Sequence, residues 1–113
     1  MDLQKISTYF PADFRGKAKG GACFHIYPET VFTQKQREEI LAAKNEVQNI
    51  YDGLYTNTRF DKDYTGTDFS FVMIGVDLSD FPKKCHDDIL ERLLAALNSV
   101  TGIKKVIINE GCL

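Results

Sequence analysis

Three cysteines and two histidines fall into two close pairs and a single residue: Cys23 with His25, Cys85 with His86, and Cys112. Thiolate and imidazole are the ligands zinc takes in tetrahedral sets, so Cys23, His25, Cys85 and His86 form a candidate metal set. A cysteine at a helix start beside Lys83 and Lys84 would have a lowered pKa and react as a thiolate. The run Arg15-Gly16-Lys17-Ala18-Lys19-Gly20-Gly21 offers a third chemistry. Backbone N–H groups of a glycine-rich loop, near a helix N-terminus, hold phosphates. Arg15, Lys17, Lys19, Lys83 and Lys84 are therefore the candidate anion-binding residues.

Each of these groups also has a plainer role. Cys85 falls on the apolar stripe of a helix, where an unpaired cysteine acts as a small hydrophobe. Cys23-x-His25 puts two side chains on one strand face, but no Cys-x-x-Cys or His-x-x-His supplies a second pair. His86 stands beside Asp87 and Asp88, and Cys112 is next to last. The glycine loop lacks the Gly-Lys-Ser/Thr ending of a nucleotide-binding P-loop, which leaves a flexible basic connection. The chain is thus expected to carry no cofactor and to act by binding rather than by catalysis.

The elements that must position these residues belong to one domain, residues 1–113, with 1–21 as an N-terminal extension and basic Gly-rich loop. Apolar residues make up 43% of the 113 and charged residues 27%, a balance that folds around a core. A net charge of −2 excludes a general polyanion binder, though not a local basic patch. Three widely spaced cysteines are too few for a secreted disulfide framework, and no segment has the length of a membrane span. The expectation is a soluble, reduced, cytoplasmic protein.

Leu3, Ile6, Tyr9, Phe10 and Phe14 are spaced for a short amphipathic helix broken near Pro11. Ala22 to Tyr27 reads as a strand closed by Pro28. Thr33 and Gln36 fit a capping box ahead of Ile40, Leu41, Val47, Ile50, Tyr51 and Leu54 at helical spacing, with Gly53 as the stop. Residues 54–60 form a short strand, and 61–67 a polar turn. Phe69 to Val76 is aromatic and β-branched, a strand. Ser79 or Asp80 caps a second helix whose stripe runs Cys85, Ile89, Leu93, Ala96 and Val100 to a stop at Gly102. Ile103 to Ile108 is the last strand.

This order predicts an α+β two-layer sandwich of the ferredoxin-like (split βαβ) plan with an N-terminal helical extension. A small, mostly parallel three-strand α/β sheet is the alternative if 54–60 is not a strand. The ferredoxin-like topology gathers the start of the first strand, the end of the third, the start of the second helix and the end of the last strand at one edge. That edge would collect Cys23, His25, Cys85, His86, Cys112 and the basic residues.

Asp61-Lys62-Asp63-Tyr64-Thr65-Gly66 resembles the front half of an EF-hand calcium loop, but position twelve is Val72 where that family needs a bidentate Glu. The same run resembles the Asp-x-Asp-x-Thr signature of haloacid-dehalogenase phosphatases, without the apolar strand that should precede it. A polar turn is the expectation. Phe69-Ser70-Phe71-Val72 resembles the longer aromatic motif of RNA-recognition domains, which implies bases stacked on the open face of the third strand. Thr67 and Asp68 stand where that family has its basic residue and glycine.

Strict alternation puts Phe69, Phe71 and Met73 on the open face, with Tyr27 or Phe24 as the first-strand aromatic. Such a face calls for cover by a second copy, by another protein, or by the N-terminal segment. The leading expectation is a regulator, adaptor or inhibitor module with a protein partner, dimerising through Phe69, Phe71, Met73 and Tyr27. A single-stranded RNA-binding module ranks second, and a thiol or metal enzyme third.

Overall fold

The structure, a computed structural model, describes residues 5–9, 21–62 and 65–110. Its elements are β1 (Lys5–Tyr9), β2 (Gly21–Pro28), α1 (Gln34–Ile50), β3 (Tyr55–Lys62), β4 (Phe69–Asp77), α2 (Lys83–Leu97) and β5 (Ile103–Glu110). The sheet order is β1-β5-β2-β4-β3. β5, β2, β4 and β3 pair antiparallel throughout, as in a ferredoxin-like sheet. β1 adds to the outer edge of β5 in parallel, Ile6 standing opposite Ile107. The strand expected at 54–60 forms at Tyr55–Lys62, taking in two residues expected in the turn, so the parallel three-strand alternative falls.

Within the N-terminal extension, the described residues correct the expectation. Lys5–Tyr9 is a strand where the spacing of Leu3, Ile6, Tyr9 and Phe10 predicted a helix. The free edge of β5 offers a ladder of N–H and C=O groups, and pairing with it outweighs a marginal local helical pattern.

The core follows from strand alternation. On β2, Ala22, Phe24 and Ile26 are fully buried, and Val72, Ile74 and Val76 on β4 match them. Val106 and Ile108 on β5 continue the layer, with α1 supplying Ile40, Ala43 and Val47 and α2 supplying Ile89, Leu90, Leu93 and Leu97. Each of the larger side chains, alanines aside, contributes about 1.5–3 kcal/mol on burial, which is what holds the helices on this side of the sheet. Leu41 is only half-buried and Ile50 is exposed, so the apolar stripe of α1 is narrower than its sequence suggests.

Local signals set the ends. Thr33 and Gln36 close a capping box on α1, and Gly53 and Gly102 follow the two helices in the left-handed region at φ 86°. Gln36 also donates from Nε2 to the Thr101 carbonyl at 2.9 Å, joining the start of α1 to the turn before β5. α2 departs from expectation. Its N-cap is Pro82 with no side-chain cap, because the Ser79 hydroxyl donates instead to Asp77.

One irregularity matters for function. Asp61 pairs with Phe71 but Lys62 pairs with Phe69, so Ser70 is an extra residue in β4. Phe69 then bonds the backbone of Phe32 in both directions, at 2.7 and 2.8 Å. The bulge turns Phe69 to the helix side, where it is 4% exposed and packs edge-on against Phe60.

Candidate functional site

The expected edge forms: Gly21 pairs with Asp77 and Ala22 with Glu110, beside the start of α2. It does not bring Cys23 and His25 together with Cys85 and His86. Cys23 and His25 alternate with the buried residues of β2 and so lie on the face away from the helices. Cys85 and His86 lie in the helix layer, Cys85 packed against the core and His86 hydrogen-bonded through Nε2 to the Phe81 carbonyl at 2.9 Å. The sheet separates the two pairs, which corrects the four-residue metal set. Among the described residues no group of three or more His, Cys, Asp and Glu is arranged to hold a metal ion.

Cys23 is disulfide-bonded and Cys85 is free. A bonded sulfur has no thiolate to offer a metal or a substrate, so the expectation of three reduced thiols is also corrected. Lys83 and Lys84 are exposed in the first turn of α2, while Arg15, Lys17, Lys19 and Cys112 lie outside the described residues. Among the described residues no helix is long and apolar enough to cross a membrane.

In the helix layer near the same edge, the Tyr51 hydroxyl donates to Asp88, and Arg92 Nε donates to the same carboxylate at 2.8 Å. These two donors hold the Asp88 carboxyl below its usual range. Tyr51 also meets Phe81 edge-on at 5.7 Å. The cluster ties the end of α1 to α2.

The open face is where aromatic side chains gather. Tyr27 and Phe71 lie 5.3 Å apart between ring centroids, and His25 lies 5.7 Å from Phe71. Met73 is registered with His25, and His25 with Ile107, so an apolar band crosses β4, β2 and β5. All of these are half-buried, and no described helix packs on them. Partial burial of His25 holds its pKa below the usual value. Charge rims the band on both sides. On β3 Arg59 and Asp61 pair at 3.2 Å, and on β5 Lys105 Nζ stands 5.1 Å from the Tyr27 ring centroid.

Of the four expected interface residues, Phe71, Met73 and Tyr27 lie here. Phe69 does not, since the Ser70 bulge returns it to the core. Phe24, the alternative to Tyr27, is fully buried. Sequence reasoning missed His25, Ile107, Arg59, Asp61 and Lys105 as members of this face. The alternation Lys105, Ile107, Asn109 against Val106, Ile108 in β5 carried the signal for two of them.

No family model matches the chain, and no curated protein matches it. Among solved structures it is similar to the C-terminal domain of the MgtC protein from Mycobacterium tuberculosis, determined in solution. The TM-score is 0.56 at 16% identity, over 82% of this chain and 88% of that one. The likeness is one of fold.

Proposed function

We propose that this chain is a non-catalytic interaction module, of the regulator, adaptor or inhibitor kind, that binds protein through its open sheet face. The carrying observation is the band of Tyr27, Phe71, His25, Met73 and Ile107, which no described helix covers. Aromatic and methionine side chains at the centre of a surface, rimmed by charge, are the composition of a protein interface. The described residues offer no competing catalytic constellation. The metal set is split by the sheet, and Cys85 is half-buried against the core.

Sedimentation of the wild-type chain and of Phe71→Glu tests this reading. The expected result is concentration-dependent association of the wild type and a folded monomer for the variant. A wild type that stays monomeric at high concentration and retains no protein partner on affinity capture would overturn it. So would a Phe71→Glu chain that unfolds, since the face would then be core.

A second reading has one specific support. Tyr27 on the first strand of the ferredoxin-like core and Phe71 on the third are neighbours on the open face, which is where RNA-recognition domains stack bases. Fluorescence titration with single-stranded RNA at low salt separates the two. Binding that weakens with salt supports the RNA reading, and absence of binding removes it.

A further inference from the structure

The open face is complementary to itself, and we infer that its occupant is a second copy of this chain, stacked about a two-fold axis that runs along the strands between β2 and β4. The inference rests on the proposed use of this face for binding protein. It adds the partner and the register.

The residues of the open face form rows across the sheet. One row runs Asp61, Phe71, Tyr27, Lys105 across β3, β4, β2 and β5. The next runs Arg59, Met73, His25, Ile107, and the third Asn57, Gly75, Cys23, Asn109. A two-fold axis along the strands, lying between β2 and β4, reverses the order of each row while keeping each row opposite itself. Asp61 then faces the partner's Lys105, and Lys105 faces the partner's Asp61. Phe71 stacks over the partner's Tyr27, and Met73 over the partner's His25. The stem of Arg59 covers the partner's Ile107, and Asn57 meets the partner's Asn109.

No row places like charges in opposition. The opposite rotation, with its axis across the strands, would set each strand against its own copy, so that Asp61 and Lys105 never meet. Sheets packed face to face keep their strands within about 30° of parallel, which this axis allows. The symmetry is isologous, the commonest closed form for identical chains.

Area sets the expected strength. The four strands set against the partner, about 4.8 Å apart and about 26 Å long, present roughly 500 Å² each, at the low end for a specific interface. Dimerisation is therefore expected in the micromolar range rather than the nanomolar.

Charge exchange tests the register. Asp61→Lys creates two lysine–lysine oppositions per dimer and Lys105→Asp two aspartate–aspartate ones, each expected to weaken dimerisation about tenfold. The double variant Asp61→Lys/Lys105→Asp is expected to return within about threefold of the wild type. Mixing the two single variants is expected to give heterodimers, because every opposition is then between unlike charges. This mixture also keeps the test sharp if the double variant folds poorly. Unchanged dimerisation in both single variants, with Phe71→Glu still monomeric, overturns the register while leaving the face as the binding surface. A wild type that is monomeric at hundreds of micromolar overturns the second copy as occupant, and affinity capture on Phe71 then decides the broader reading separately.

Discussion

Phe24 and His25 are neighbours on β2 with opposite surroundings. Phe24 is fully buried beneath both helices, while His25 stands half-buried on a face that no described helix covers. The same division runs through β4, where Val72 and Ile74 face the helices and Phe71 and Met73 face away. Aliphatic and aromatic residues are found on both sides of the sheet, so hydrophobicity alone does not separate core from binding surface. What separates them is the absence of charge among the buried residues and its presence at the rim of the open face, in Arg59, Asp61 and Lys105. A strand that is apolar on both faces invites cover on both, and intramolecular cover is described on only one.

The largest effect should come from testing the two faces against each other. Phe24→Ala removes a fully buried ring and should cost about 3–5 kcal/mol in urea unfolding. Phe71→Ala, measured at low protein concentration, should cost less than about 1.5 kcal/mol, because its ring is already half in water. Equal losses would mean that the open face is packed core, and the contrast between the faces would collapse.

Phe69 sharpens the contrast, because its position in the alternation assigns it to one face and the Ser70 bulge to the other. Phe69→Ala should destabilise the chain by about 3 kcal/mol and leave self-association unchanged. A small loss of stability joined to a loss of association would return Phe69 to the open face and remove the bulge.

Much of this arrangement is legible in the residues. The capping box at Thr33 and Gln36, the stops at Gly53 and Gly102, and the alternation in β2 and β5 are local signals, and each is realised. The features that sequence misreads depend on contacts distant in the chain. β1 becomes a strand because β5 has a free edge, and nothing within Lys5–Tyr9 announces that edge. The bulge forms because Phe69 can pair with Phe32, 37 positions earlier in the chain. The spacing of three between the buried Phe69 and Val72 is odd for one strand face and was its only local trace. The cysteine and histidine pairs share an edge as the topology requires, yet adjacency along a strand does not say which side of a sheet a side chain takes. The open face was legible in outline through Tyr27, Phe71 and Met73, while its charged rim needed the register of β3 and β5.

The smallest expected effect concerns pH and again sets the open face against the rest. Partial burial disfavours the charged imidazole of His25, so its pKa in the folded chain lies below the unfolded value near 6.5. Between those two values the unfolded chain carries a proton that the folded chain does not, and stability therefore rises with pH across that interval. Above about pH 6.5 both states are neutral at this site and the penalty is absent. Acidification through the unfolded pKa introduces it, and below the folded pKa it levels off. Asp77 and Asp88 behave differently. Ser79 holds the first carboxyl below its usual range, and Tyr51 and Arg92 hold the second, so their stabilisation is present above about pH 3.8 and lost below it. The two contributions occupy separate windows. Urea unfolding at pH 7.5, 6.5, 5.5, 5.0 and 3.5 should show a modest loss of stability in the wild type between pH 6.5 and 5.0 that His25→Gln removes, and a further loss at pH 3.5 that both chains share. A wild-type profile that His25→Gln leaves unaltered between pH 5 and 6.5 would show that the ring is as well hydrated in the folded chain as in the unfolded one. The open face would then be wetter than its neighbours Phe71 and Met73 imply.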